Sequence, residues 1–329
     1  MKEKEFDFSI QQIFSQIPQF NEKGINELQI HDEKFSRDKS GIIKLVNLVL
    51  KHCPELFVSV VIDAKTLDRE LVQKLSEIYC SIEIPMTASS KNGTILFDKK
   101  LYSGRAGLLN EAGLVFGFSL NWGILEGDTF KSFRDRLDLA VSLYPNHINF
   151  PQLEVDKYED SASTGIYSSK DMDFSRGMAF ACSTFYTYGR AVPWFNSILN
   201  ALKINATSFF SDFEEFQLCN NCSFEIGYKP QNASHQDIEK LQLAFLNEKF
   251  EEKKKFHMIA AVEDLVRLNG AFSRLSQEGI ESELKTSYNP DDILSPYALD
   301  LSSFCENVPM EESLVKIFNS HNGPDYKIV

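Results

Sequence analysis

Five short apolar runs rich in β-forming residues recur along the first half of the chain, and their spacing limits what it can fold into. They cover residues 25–31, 56–62, 81–86, 114–120 and 146–151. Their starts lie 31, 25, 33 and 32 residues apart, which is the span of one βαβ unit. Stretches with helical periodicity fill the intervals. The spacing therefore predicts a mostly parallel α/β sheet or barrel with right-handed crossovers.

The polar residues that follow these runs are the first candidates for a site. In parallel α/β folds, ligands bind at the carboxyl ends of the strands, where loops can vary without disturbing the core. The candidates at these ends are Asp32 and Glu33, Asp63, Thr87 and Ser89, Asn121, and Gln152.

Capping signals mark where the intervening helices begin. Ser9 followed by Gln12 reads as a capping box for an opening helix, and Asp38 or Ser40 can cap the next one. The later crossover helices are predicted over residues 68–79, 98–111 and 128–143, each opening on an aspartate.

The pattern changes past residue 154. A polar stretch over residues 156–173 leads into helical sequence, predicted over 193–202, 207–218 and one long helix from Ser234 toward Asn269. The last 45 residues contain several prolines and are predicted to form an irregular outer wrap. We therefore expect a barrel-like domain over residues 1–155 and a mainly helical region over 156–329.

Composition narrows the functional class. The chain has 329 residues with 34 Lys plus Arg against 47 Asp plus Glu, a net charge of −13. Such a balance argues against binding to nucleic acid or to an anionic membrane. The amino terminus lacks an apolar signal core, and the six cysteines lack the dense framework of secreted domains. We expect a cytoplasmic protein with reduced thiols.

Three segments carry a resemblance to a known family. They are GINELQIHDEKFS at residues 24–36, residues 56–68, and residues 113–154 with the turn GILEGDT at 123–129. Together they resemble the radical S-adenosylmethionine (radical SAM) superfamily, especially its cobalamin-binding-type subgroup. The resemblance implies a partial (β/α) TIM-like barrel over about residues 9–155, with five of the six expected βα units.

The cluster motif of that family is missing. Its radical step needs a four-iron cluster held by three cysteines in a CxxxCxxC loop, and this spacing does not occur in the sequence. By the resemblance, the sequence opens at the helix that would follow the cluster loop. We therefore expect a non-catalytic or accessory relative. The alternative is the carboxyl-terminal part of a split or truncated cobalamin-dependent enzyme, whose cluster and cobalamin a partner chain supplies.

The resemblance also implies where S-adenosylmethionine would bind. Asp32 and Glu33 would hold its amino group, and Glu83 with Thr87 and Ser89 would face its ribose or carboxylate. Asn121 and Gln152 complete the strand-end set. The competing interpretation is structural: Asp32 caps its turn, Ser89 lies in a loop, and Glu83 pairs with a lysine. No catalytic residue can be named from the sequence.

Two further alternatives remain open. Cys219 and Cys222 form a CxxC pair that could be half of a metal site, but a second pair with recognisable spacing is missing, so buried or incidental cysteines are favoured. An unrelated hydrolase or isomerase on a TIM-type barrel would need a metal or nucleophile constellation that the sequence does not reveal. A homo-oligomer is an alternative to a cluster-bearing partner chain.

Overall fold

The chain forms a mixed α/β structure with a five-stranded parallel sheet and many helices. The computed structural model describes residues 8–91, 94–124, 127–153, 166–321 and 323–329, with the backbone alone for 89–91 and 94–96. The strand order of the main sheet is β1-β2-β3-β6-β7. The chain divides into two compact units, the first comprising residues 1–121, 125–127 and 143–146, and the second the remainder.

The first unit holds the βα repeats predicted from the sequence. Its elements are α1 (Ile10–Gln16), β1 (Glu27–Ile30), α2 (Lys39–His52), β2 (Phe57–Val61), α3 (Arg69–Leu75), β3 (Cys80–Pro85), the short antiparallel pair β4 (Ser89–Lys91) and β5 (Thr94–Leu96), α4 (Lys99–Glu111) and β6 (Val115–Ser119). Strands β1, β2, β3 and β6 pair in parallel, in chain order.

Local capping explains why the helices begin where they do. The Ser9 capping box is present, which confirms the predicted start of α1. Asp38, Asp68 and Asp98 each accept a hydrogen bond from the backbone N–H three residues later and so cap α2, α3 and α4. These three starts are confirmed.

The two faces of the parallel sheet differ in polarity. One face carries Val58, Ile82 and Phe116, which lie on β2, β3 and β6, and all three are fully buried. The other face carries Ser59 and Glu83, which are half-buried. Among the described residues, the second face is therefore more polar than the first, although Gly117 and Ser119 of β6 are buried on it.

The second unit is mainly helical and also contains strands. Its elements are α5 (Phe130–Ser142), β7 (His147–Asn149), α6 (Ser169–Cys182), a π-helix (Ser183–Tyr188), α7 (Phe195–Leu202), α8 (Ala206–Cys219), α9 (His235–Glu252), α10 (Ile259–Glu278), β8 (Ser282–Thr286), α11 (Pro290–Ile293), α12 (Leu301–Asn307), β9 (Ser313–Ser320) and β10 (Gly323–Ile328). Its core is aromatic: the ring of Phe185 lies within 6.2 Å of five other rings, measured between centroids.

Two sequence predictions for this unit are wrong. The last 45 residues are not an irregular wrap, because β8, β9 and β10 form an antiparallel sheet. The signal was the period-two alternation of β9, where Val315 and Ile317 are buried and their neighbours are more exposed. The predicted long helix is two helices, since Lys254 takes a left-handed conformation (φ 56°) that ends α9.

Other expectations are only partly tested. Among the described residues, β1 and β7 are the two ends of the sheet order, so a closed barrel is not shown. The domain boundary predicted near residue 155 lies outside the described residues. Within the described part of the chain, no helix is both long and apolar enough to cross a membrane.

Candidate functional site

A cleft of about 1040 Å³ opens at the carboxyl ends of β2 and β3 in the first unit. This is the end of a parallel sheet at which ligands bind in α/β folds. It is lined by Arg37, Lys39, Asp63, Ala64, Lys65, Thr66, Asp68, Thr87, Phe97, Asp98, Leu101 and Tyr102.

The loop after β2 is folded around Asp63. One oxygen of the Asp63 carboxylate accepts a hydrogen bond from the Lys65 backbone N–H at 2.8 Å, and the other lies 3.4 Å from Nε of Arg37. The backbone carbonyl of Asp63 accepts a hydrogen bond from the Thr66 N–H. This turn presents the Lys65 and Thr66 side chains to the cleft.

Lys39 bridges two acids at the next wall of the cleft. Its Nζ lies 2.6 Å from Asp68 and 2.7 Å from Glu70. The hydrogen bond from Lys39 is the main reason that the pKa of Asp68 lies below its usual value, and the capping N–H of Leu71 adds to the effect. In return, Asp68 and Glu70 raise the pKa of Lys39. These charges are therefore engaged with one another.

An aromatic pair forms the third wall. The rings of Phe97 and Tyr102 stack with centroids 5.0 Å apart, and Phe97 is half-buried whereas Tyr102 is buried. The Tyr102 hydroxyl accepts a hydrogen bond from the Thr87 N–H at 3.0 Å and lies 3.2 Å from the Pro85 carbonyl. Helix α4 thus fixes the loop that leaves β3, and Phe97 lines the cleft.

Three side chains around the cleft have polar atoms without a partner among the described residues. Two of them, the Lys65 ammonium and the Thr66 hydroxyl, belong to residues that line the cleft. The third is the terminal nitrogens of Arg105, which is not a lining residue but whose Nε donates to the carbonyl of the lining residue Ala64 at 3.0 Å. One Asp98 oxygen caps α4, which leaves the other oxygen able to accept. The cleft therefore offers donors on the β2 loop and an acceptor at the start of α4.

The polar face of the sheet places a second group of predicted residues. Glu83 stands beside Val61 on one neighbouring strand and Gly117 on the other. Gln29, Ser59 and Ser81 form a row across β1, β2 and β3 in register. Hydroxyl, amide and carboxylate groups thus lie on the same face of the sheet.

The strand-end acids predicted from the sequence serve local roles in the structure. Asp32 accepts a hydrogen bond from the Phe35 N–H at 2.6 Å and so caps a 3-10 turn. Glu33 is exposed and pairs with Arg37 at 2.9 Å. Thr87 lines the cleft. Ser89 begins β4, and its side chain lies outside what the structure describes.

The two remaining predicted residues lie apart from the cleft lining. Asn121 follows β6 and is half-buried. In the second unit, the Gln152 side chain accepts a hydrogen bond from the Trp122 N–H at 2.8 Å and donates to the Trp122 carbonyl at 2.9 Å. Both the oxygen and the nitrogen of the Gln152 amide are therefore bonded to the Trp122 backbone.

The turn at residues 123–129 is anchored by a buried ion pair. Residues 125 and 126 lie outside the described chain. Asp128 pairs with Arg136 at 2.9 Å, and both side chains are at most 3% exposed. The same carboxylate accepts hydrogen bonds from the N–H groups of Gly123 and Thr129. Arg136 on α5 therefore anchors the described part of this turn through Asp128.

The cysteine pair has the character of structural thiols. Cys222 is buried, and burial raises its pKa to about 11, whereas Cys219 is exposed. Metal ligation needs the thiolate, so this environment disfavours a metal at Cys222. Among the described residues, no group of three or more His, Cys, Asp or Glu side chains is arranged to hold a metal ion.

Sequence reasoning missed most of the cleft. Asp63 and Thr87 are predicted as strand-end residues and line the cleft, but Lys65 and Phe97 are not predicted. The available signal for Lys65 is its place in the loop that follows a strand. Phe97 carries no such signal, because it lines the cleft only through its place just before α4.

Comparisons with known proteins give one distant similarity. No protein-family model and no curated protein matches the chain. Two solved structures of the radical S-adenosylmethionine methyltransferase TsrM from Kitasatospora setae resemble part of it. One, with cobalamin and a 4Fe-4S cluster bound, is 14% identical with a TM-score of 0.36, over 43% of this chain and 28% of that chain.

The second was determined with tryptophan substrate and the SAM analogue aza-SAM. It is 13% identical with a TM-score of 0.35, over 52% of this chain and 34% of that chain. This chain therefore spans well under two thirds of the length of either structure, and the similarity to a radical SAM protein is distant.

Proposed function

We propose that the protein is a non-catalytic relative of radical SAM proteins that binds a ligand of the S-adenosylmethionine class in the cleft beside β2 and β3. The chemistry of the cleft carries this proposal. A half-buried aromatic face, an acceptor and several donors surround a volume of about 1040 Å³, which is large enough for a nucleoside joined to an amino acid.

The aromatic wall suits the adenine. Phe97 lines the cleft, and its ring is supported by stacking on the buried Tyr102. A flat heteroaromatic ring stacks on such a surface, and this adds about 1 kcal/mol to the free energy gained by burial.

The start of α4 suits the amino group of the ligand. Asp98 lines the cleft and uses one carboxylate oxygen as the helix cap. Its second oxygen can accept a hydrogen bond from an ammonium group, and a charge-assisted bond of this kind contributes more than a neutral one. The Thr87 side chain, at the end of β3, is placed to bond a ribose hydroxyl.

The thiols argue for the non-catalytic interpretation. The sequence has no CxxxCxxC spacing, which is the arrangement that would hold a four-iron cluster. The barrel-type architecture is also part of this proposal, and it is supported by the strand order β1-β2-β3-β6-β7 and the parallel pairing of β1, β2, β3 and β6.

The test is calorimetry of the full chain with S-adenosylmethionine and S-adenosylhomocysteine. Asp98→Asn keeps the cap, because asparagine caps helices as well as aspartate does, but it removes the charge. We expect it to weaken S-adenosylmethionine binding about tenfold. Asp38→Asn is the matched control, since Asp38 caps α2 in the same way and does not line the cleft. Equal effects of the two variants, or no binding heat at all, would contradict the proposal.

A second experiment addresses the cluster and the split-enzyme alternative. After anaerobic incubation with iron and sulfide, we expect the chain to retain no stoichiometric iron. If iron is retained and Cys219→Ser or Cys222→Ser removes it, the non-catalytic interpretation is wrong. Sedimentation of the purified chain then distinguishes a monomer from a homo-oligomer, and recovery of a cluster only after mixing with a second chain would favour the split enzyme.

A further inference from the structure

The acids of the cleft are already engaged with the protein. Asp63 accepts from the Lys65 N–H, Asp68 from the Leu71 N–H, and Asp98 from the Leu101 N–H. Each of these bonds fixes a loop or a helix start. The carboxylates of the cleft therefore already bind and fix the backbone of its walls.

The cations divide into two groups. Arg37 is paired with Glu33 and Asp63, and Lys39 is paired with Asp68 and Glu70. Lys65 and Arg105 are different, because within the described ranges neither has a carboxylate within ion-pair distance. Lys65 is exposed and lines the cleft, and Arg105 is half-buried with its Nε held by the Ala64 carbonyl.

The two uncommitted cations are brought together by one backbone group. Arg105 binds the carbonyl of Ala64, the residue immediately before Lys65. Its charge also contributes to the lowered pKa of Asp68, so it lies near the same wall. The Thr66 hydroxyl follows in the chain and lines the cleft as well. The loop after β2 thus carries an ammonium and a hydroxyl, and α4 holds a guanidinium against its backbone. These are donor types that bind an oxyanion.

We infer that Lys65, Thr66 and Arg105 form a seat for an anionic group of the ligand, a carboxylate or a phosphate. This inference rests on the proposed function, because it assigns the acidic part of the ligand to a named side of the same cleft. Arg105 holds its guanidinium in a fixed orientation through Nε, and Lys65 supplies a mobile charge at the rim. The chain as a whole carries a net charge of −13, which repels polyanions. A local group of donors therefore favours one small bound anion over non-specific binding of a polyanion.

The test compares ligands that share the adenosine group and differ in the group at its 5′ carbon. Adenosine has no anionic group there, AMP adds a phosphate, and S-adenosylhomocysteine adds a carboxylate with an amino group. Titration of the full chain with each, and with inorganic phosphate alone, measures what the anion contributes. We expect AMP to bind at least tenfold more tightly than adenosine, and this difference to shrink between about 0.05 M and about 0.5 M salt.

Two substitutions with a control locate the seat. Lys65→Ala and Arg105→Gln are each expected to weaken AMP binding about tenfold and to leave adenosine binding within a factor of about two. Lys74→Ala removes one positive charge at the other end of α3, where Lys74 pairs with Glu77, and it is expected to have no effect. Circular dichroism of Arg105→Gln checks that loss of the bond to Ala64 leaves the fold intact.

The outcomes separate this inference from the proposed function. AMP binding that depends on Lys65, without S-adenosylmethionine binding, supports the seat and refutes the proposed ligand class. S-adenosylmethionine and S-adenosylhomocysteine binding that is unchanged in Lys65→Ala and Arg105→Gln refutes the seat alone. Equal affinities for adenosine, AMP and S-adenosylhomocysteine, or equal effects of Lys65→Ala and Lys74→Ala, also overturn the inference. Binding of S-adenosylhomocysteine but not AMP, lost in Lys65→Ala, identifies the anion as a carboxylate.

Discussion

Removal of Arg136 tests how strongly the buried ion pair holds the turn after β6. Arg136 lies on the buried face of α5, with its Nη2 2.9 Å and 3.2 Å from the two oxygens of Asp128. In Arg136→Met the carboxylate keeps its hydrogen bonds from Gly123 and Thr129 but loses its cation. Because Asp128 is only 2% exposed, water cannot replace that cation, and we expect a loss of about 3–5 kcal/mol in the free energy of unfolding.

The double variant separates the ion pair from the packing. Asp128→Asn alone leaves a buried arginine without its counter-charge, and it should also destabilise the protein. Asp128→Asn combined with Arg136→Met leaves no buried charge at this pair. We therefore expect the double variant to lose less stability than the sum of the single variants, by about 2 kcal/mol.

The assay is urea unfolding followed by tryptophan fluorescence, because Trp122 is buried next to Gly123 and its ring lies 5.7 Å from that of Phe133 on α5. Lys131→Met is the control on the same helix. The Lys131 side chain is 83% exposed where it pairs with Asp135, so its loss should cost less than about 1 kcal/mol. Salt should reduce only the control effect. If Arg136→Met costs no more than Lys131→Met, the reasoning is wrong.

Two further predictions concern buried acids of the second unit. Burial, with a contribution from neighbouring acids, raises the pKa of Glu214, whose carboxylate lies against Gly177, to about 7. The folded chain therefore keeps a proton that the unfolded chain releases, and Glu214 should lower the free energy of unfolding from about pH 4.5 to pH 7. Glu214→Gln should remove this contribution in urea titrations and leave that of Asp264, whose pKa burial raises to about 6; an unchanged pH dependence would contradict the assignment. Asp264 is 3% exposed and accepts the N–H groups of Ser287 and Tyr288 at 2.7 Å and 2.9 Å; Asp264→Leu should cost about 2–5 kcal/mol because both donors are left unsatisfied, and Asp264→Asn, which keeps an acceptor, should cost clearly less.

The repeating architecture of the first unit was readable from the sequence. Asp38, Asp68 and Asp98 recur every 30 residues, and each caps its helix by a hydrogen bond to a backbone N–H three residues away. The apolar strand runs are equally local, since alternation along a strand does not depend on its neighbours. Capping bonds join residues only three or four positions apart and therefore depend on the local sequence alone, so the elements and their order could be predicted.

The candidate site depended on contacts that the sequence does not encode locally. Lys65 and Arg105 are 40 residues apart in the sequence, and Arg105 reaches the loop that carries Lys65 because α4 packs so that the Arg105 Nε bonds the Ala64 carbonyl. With the same local sequence, a polar side chain can cap a turn, pair with a distant charge or remain without a partner. Only the tertiary packing decides among these roles, because it determines which donors and acceptors come within hydrogen-bond distance.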